Sequence, residues 1–120
     1  MTVQFLEYVT PNVDTQVKAI ADATGLTFTG PVPEFGNAMV AIMPNGGKIS
    51  VRAPMHATET PVIRPYLLTD DIAQAVKDVT DAGAEIMHPP LEIPGQGTFA
   101  IYRLDGLEQG LWEVPADLLR

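Results

Sequence analysis

"FLEYVTPNVDTQVKAIADA" (Phe5 to Ala23) and "RPYLLTDDIAQAVKDVTDA" (Arg64 to Ala82) decide how this chain is read, because the second stretch repeats the first. At an offset of 64 − 5 = 59, Val9 meets Leu68, Thr10 meets Thr69, Asn12 meets Asp71 and Val17-Lys18 meets Val76-Lys77. A second block, "GNAMVAIMPNGGKISVRAP" from Gly36, aligns with "GTFAIYRLDGLEQGLWEVP" from Gly97 at an offset of 97 − 36 = 61. That alignment sets Arg52 opposite Glu113 and Pro54 opposite Pro115. Each match is weak, but their common order predicts two copies of one structural unit. A site at the seam of two such copies draws equivalent positions from both.

Working outward, each copy reads as a strand, a helix and then further strands. Gln4 to Val9 alternates as a half-buried strand does, and Asp14 can cap a helix that turns Val17, Ile20 and Ala23 inward and stops at Gly25. In the second copy Ile63 to Thr69 is the strand. Asp70 or Asp71 caps a helix carrying Ile72, Ala75, Val76 and Val79, which Gly83 ends. Shorter β-prone runs follow: Leu26–Phe28, Met39–Met43 and Lys48–Arg52, then Glu85–Met87, Phe99–Arg103 and Gly110–Val114. "PNGG" at Pro44 and "LDGL" around Asp105-Gly106 supply the turns. The expected architecture is α+β: tandem βαβββ modules near residues 3–54 and 62–115, making one domain over residues 1–120, with helices on one face of a mixed sheet.

Composition narrows the functional classes. With 120 residues the chain has the size of a single domain, and 46% hydrophobic with 18% charged residues predicts a packed globule. A net charge of −8 leaves nothing to neutralise phosphates, so nucleic acid is not an expected partner. The chain has no Cys, which excludes disulfides and thiolate metal sites. "MTVQFLEYV" lacks the pattern of a signal peptide and no apolar run reaches membrane-spanning length, so a cytoplasmic protein with no membrane partner is expected. No phosphate-binding Gly-rich loop and no nucleophile elbow is present; "PGQGTF" lacks the Lys and Ser/Thr that a P-loop needs.

The paired βαβββ pattern, with "RPYLLTDDIAQAVKDVTDAGAEIMHPP" followed by "GTFAIYRLDGLEQGLWE", resembles the vicinal oxygen chelate superfamily of glyoxalase, bleomycin-resistance and extradiol-dioxygenase proteins. The resemblance runs from about Val3 to Val114. It implies a curved mixed sheet with helices on its outer face and a cup on the inner one. It also implies lyase, isomerase, hydroxylase or dioxygenase chemistry in metal-dependent members, where a His or Gln on each module's first strand and a Glu on its last hold the ion. Carried over, those positions fall on Phe5, Arg64, Arg52 and Glu113. Phe offers no lone pair and two guanidinium groups repel a cation, so no metal and no cofactor are expected. His56, in the connector "APMHATETP", and His88, before Pro89-Pro90, read as solvated residues.

Strand parity then fills the cup. Phe5, Glu7 and Val9 share a face, as do Lys48, Ser50 and Arg52, then Arg64, Tyr66 and Leu68, and finally Leu111 and Glu113. Trp112 and Val114 fall on the helix side. In one reading Arg52, Arg64 and Arg103 offer donor forks to an anionic small molecule, with Phe5, Tyr66 and Leu111 as walls and Glu7 or Glu113 as acceptor or general base. In the other, Arg64 pairs with Glu113 and Arg52 with Glu7, and the charges satisfy one another. The reading adopted is a protein that binds a small molecule in the cup without a metal. An enzyme of the same superfamily and a vestigial interaction module are the alternatives. Exposed sheet edges predict a homodimer. Met39, Met43 and Met87 read as core packing, and His88–Gly97 as a Pro-rich loop rimming the cup.

Overall fold

A computed structural model of the chain describes residues 1–115. The chain forms two compact units: Phe5–Arg64, and Met1–Gln4 together with the described residues from Pro65. The elements run β1 (Val3–Val9), α1 (Val13–Thr24), β2 (Thr29–Val32), β3 (Ala38–Ile42) and β4 (Lys48–Arg52), then β5 (Val62–Leu68), α2 (Ile72–Asp81), β6 (Glu85–Ile93), β7 (Gly97–Leu104) and β8 (Leu107–Glu113). A 3-10 turn at Pro33–Phe35 interrupts the first series. This is the α+β, twice-βαβββ pattern that the repeat predicts. Hydrogen-bonded neighbours run β1-β4-β3-β2 in the first series and β5-β8-β7-β6 in the second. Each begins with a parallel pair, β1 with β4 and β5 with β8, and continues antiparallel, so each sheet is mixed.

In the Phe5–Arg64 unit the buried apolar residues lie on both faces of the sheet: Phe5, Val9, Ala38 and Val40 share the face of Glu7 and Ser50, and Ala41, Ile49 and Val51 take the other. The Phe5 and Phe35 rings meet edge-on at 4.9 Å. Helix α1 begins at Val13 with Asn12, not the expected Asp14, at its N-cap and with no side-chain cap bond; Asp14 falls inside the first turn. Val13, Gln16, Val17, Ile20 and Ala21 make its half-buried stripe, whereas Ala23 is exposed. Gly25 closes the helix in the left-handed region (φ 77°), where a side chain would be strained. Leu26–Phe28 is not a strand; β2 forms later, at Thr29–Val32, pairing with β3.

The second unit is built around α2. The Asp71 carboxylate caps it by accepting from Gln74 N–H at 3.1 Å. Ile72, Ala75, Val76 and Val79 pack on Ala100, Tyr102 and Leu111, the helical spacing meeting one face of the β7–β8 pair. Most of the expected loop His88–Gly97 is strand: β6 runs to Ile93, and a register irregularity between His88 and Leu91 absorbs the Pro pair. Met87 stands 41% exposed on it and is not core.

One turn explains the largest departure from the sequence reading. The β3–β4 hairpin pairs Ile42 with Lys48 across five residues, whereas β7–β8 pairs Arg103 with Glu108 across four. At the tip of the tighter hairpin, Asp105 and Gly106 both have positive φ (53° and 78°), the geometry of a two-residue I′ turn. The missing residue shifts β8 by one. Val9 pairs with Arg52 and Leu68 with Trp112, so the equivalent of Arg52 lies 112 − 52 = 60 residues on, at Trp112 and not at Glu113. A slip of one residue turns every side chain to the other face. Leu111 therefore packs under α2, and Trp112 lies edge-on against Tyr66 with ring centres 5.8 Å apart.

Gly110 stands opposite Tyr66 in this register, and a Cβ there would sit 2.1–2.7 Å from the buried Tyr66 ring. Gly110→Ala is expected to destabilise the protein by about 1–3 kcal/mol, the usual range for overpacking. Urea unfolding with an unchanged m-value would register it.

Candidate functional site

The charged residues singled out in the first module converge. Glu7 projects from the middle of β1 and its registered neighbour Ser50 from β4, so they share a face; Arg52, two residues on, shares it as well. Glu7, Arg52 and Arg64 are only 9%, 5% and 7% exposed. Arg52 Nε donates to Glu7 Oε2 at 2.9 Å, and Arg64 Nη1 donates to Glu7 Oε1. One carboxylate thus bridges two guanidinium groups. The outer edge of Arg52 is a fork: Nη1 donates to Glu59 Oε1 at 2.9 Å and Nη2 to Glu59 Oε2 at 2.7 Å. Met55 N–H donates to the same Oε1 at 2.8 Å. Two cations and two anions cancel, which is what lets four ionised groups sit largely out of water.

The electrostatics follow from these bonds. Burial works against the Arg52 cation, but hydrogen bonding to Glu59 and the two carboxylates outweigh it, and its pKa rises. The hydrogen bonds from Arg52 hold the Glu59 carboxyl at about 2, against an ordinary 4.5, although burial opposes this. Ser50 is different. It is fully buried, and among the described residues no hydrogen-bonding group reaches its Oγ.

The remaining expected site residues lie elsewhere. Phe5 is a core residue against Phe35, whose ring also has Lys48 Nζ 5.8 Å from its centre. Tyr66 packs edge-on to Phe99 and Trp112, and His88, half-buried in β6 and not solvated in a loop, lies 5.0 Å from Phe99. Trp112 therefore faces Tyr66, not the helix side. Leu111 belongs to the α2 face. Glu113 is a helix cap: its Oε1 accepts from Ile72 N–H at 2.9 Å, at the start of α2. The expected Arg64–Glu113 pair is replaced by Arg64–Glu7. Arg103 lies half-exposed beside Glu85 and Glu108, at 3.9 and 3.6 Å. A cleft of about 290 Å³ lies beside the end of β1, with Tyr8, Thr10, Gln16, Pro61 and Ile63 on its walls, and no expected site residue lines it. Sequence reasoning missed Glu59, because an irregular connector has no periodicity to reveal where a side chain points.

The donor set at the carried-over metal positions does not fit an ion. Phe5 offers no donor atom, Arg52 and Arg64 are cations held by Glu7, and Glu113 is turned to α2. Among the described residues no three His, Cys, Asp or Glu side chains gather as a metal site.

No protein-family model matches the chain, and no curated protein matches it in sequence. Solved structures do match in fold. A hypothetical protein from Bacillus halodurans C-125 superposes with a TM-score of 0.71 at 12% identity, over 95% of this chain and 94% of that one. Methylmalonyl-CoA epimerase from Mycobacterium tuberculosis gives 0.69 at 11% identity, over 97% and 89%. A methylmalonyl-CoA epimerase in complex with methylmalonyl-CoA and NH4+ gives 0.67 at 14%, over 95% and 94%. The chain has the glyoxalase-like α+β fold of these epimerases. No helix among the described residues is long and apolar enough to cross a membrane.

Two outcomes are expected. Glu59 has a folded pKa below its unfolded one, so its contribution to stability is fully present above about pH 4.5 and is lost as pH falls toward about 2. Thermal melting of Glu59→Gln should show a shallower loss than wild type across that window. Elemental analysis after dialysis should find no stoichiometric transition metal, because the donor set is wrong for one.

Proposed function

We propose that this protein binds a small organic molecule at the Glu7–Arg52–Arg64 network without a metal, as a glyoxalase-like binding protein. One observation carries the reading: a carboxylate bridging two guanidinium groups is buried beside Ser50, a buried hydroxyl with no partner among the described residues. Buried ion networks are poor stabilisers, and apolar replacements are often neutral or better, so stability alone is a weak reason for this one. A ligand carbonyl or hydroxyl would complete the hydrogen bonding of Ser50, and the guanidinium groups would orient an anionic portion of the same molecule. Tyr66, Arg103, Leu111 and Glu113 have no part in this version of the site. The homodimer and cytoplasmic expectations remain attached to the proposal.

An isomerase is the second reading, favoured by the fold shared with methylmalonyl-CoA epimerases. Its weak point is the base. Both oxygens of Glu7 accept from guanidinium groups, and Glu113 is turned to the start of α2, where its Oε1 accepts from Ile72 N–H, away from the Glu7–Arg52–Arg64 network.

Calorimetric titration with methylmalonyl-CoA, methylmalonate and a panel of short-chain oxo acids tests binding. Proton NMR in deuterated water follows exchange at the methylmalonyl C2. The expected result is saturable binding of at least one compound, weakened roughly ten- to a hundredfold by Arg64→Ala, with no C2 exchange. Exchange at C2 would overturn the binding-protein reading in favour of the isomerase. No binding across the panel, together with no small molecule retained by the native protein in mass spectrometry, would leave the vestigial module.

A further inference from the structure

The geometry points to a carboxylate-recognition site on the outer edge of Arg52, occupied in this structure by the protein's own Glu59 and open to exchange with an external carboxylate. The inference deepens the proposed binding role and rests on it for the identity of the natural ligand class, a carboxylate; the site itself is carried by separate contacts. Three donors converge on one carboxylate: Arg52 Nη1 and Nη2, at 2.9 and 2.7 Å to the two oxygens, and Met55 N–H at 2.8 Å. The arrangement is end-on and bidentate, through the two terminal nitrogens, a geometry by which guanidinium groups recognise free carboxylates. Arg52 cannot turn away from it, because Nε is tied to Glu7 at 2.9 Å and Nη1 also donates to Ala53 C=O at 3.2 Å. The donor side is therefore fixed by buried groups before any ligand arrives.

The acceptor side is the exchangeable one. Glu59 lies in the connector between β4 and β5, which has no helix or strand from Ala53 to Pro61. Met55, His56 and Ala57 around it are exposed, and the Glu59 side chain itself is 19% exposed. Glu59 is tethered only seven residues from Arg52, so it competes as an intramolecular ligand at an effective concentration on the order of millimolar or more. An external carboxylate that takes its place restores charge neutrality at Arg52 and releases Glu59 to solvent. The connector then acts as a strap that a carboxylate ligand unlatches, and apparent affinity is lowered by the fraction of molecules in which the strap is closed.

Chemical rescue tests this. In Glu59→Ala, acetate and formate should raise the melting temperature saturably, while chloride at equal ionic strength does not. Wild type should need at least about tenfold more acetate for the same response. Arg52→Lys in the Glu59→Ala background should abolish the response, because an ammonium has no planar fork. Should Glu59→Ala fail to fold, Glu59→Gln serves, with acetate affinity again read against wild type. Equal acetate responses in variant and wild type, or none in either variant, would overturn the exchange. That failure is separate from failure of the binding role, which is read on wild type with the compound panel above.

Discussion

Glu7 is the constraint on which the first unit depends. Its side chain stands in the middle of β1, buried, and binds Arg52 at the end of β4 and Arg64 in β5. Through Arg52 the same chain of charges reaches Glu59 and so fixes the irregular connector. Three strands and the connector between two of them are thus held by one line of charge-assisted hydrogen bonds. Removal of any member leaves an uncompensated charge in a poorly hydrated place, which is why such networks behave as units and not as separable pairs.

The repeated topology assigns different work to equivalent positions. Arg52 and Trp112 correspond by strand pairing, as do Glu7 and Tyr66, and Ser50 and Gly110. One module has placed a polar network at these positions and the other an aromatic cluster of Tyr66, Phe99 and Trp112. In the second module Gly110 is required because the Tyr66 ring occupies the space its Cβ would fill. Neither set resembles a metal centre: guanidinium groups offer a divalent ion no lone pairs, both oxygens of Glu7 already accept from them, and a single phenol among aromatic rings is not a ligand set. A fold shared with metabolite-processing enzymes at 11–14% identity fixes the backbone plan and leaves the chemistry to these side chains.

The sequence by itself determined the βαβββ repeat, an aspartate cap for α2 at Asp70 or Asp71, the inner face of α2 and the shared face of Ser50 and Arg52 within β4; the structure chose Asp71. These follow from local rules: capping chemistry, helical spacing of apolar residues, and the two-residue alternation within a strand. Tertiary structure alone decided the register of β8. A hairpin one residue shorter than its counterpart carries no mark in composition, yet it turns Leu111 and Glu113 toward α2 and Trp112 away from it. It likewise decided that Arg64 binds Glu7 and that Glu59 closes the fork of Arg52. Alternation specifies which residues share a face within one strand. Which partner a long charged side chain reaches depends on strand register and on where an aperiodic connector places its groups, and both are set only when the chain has packed.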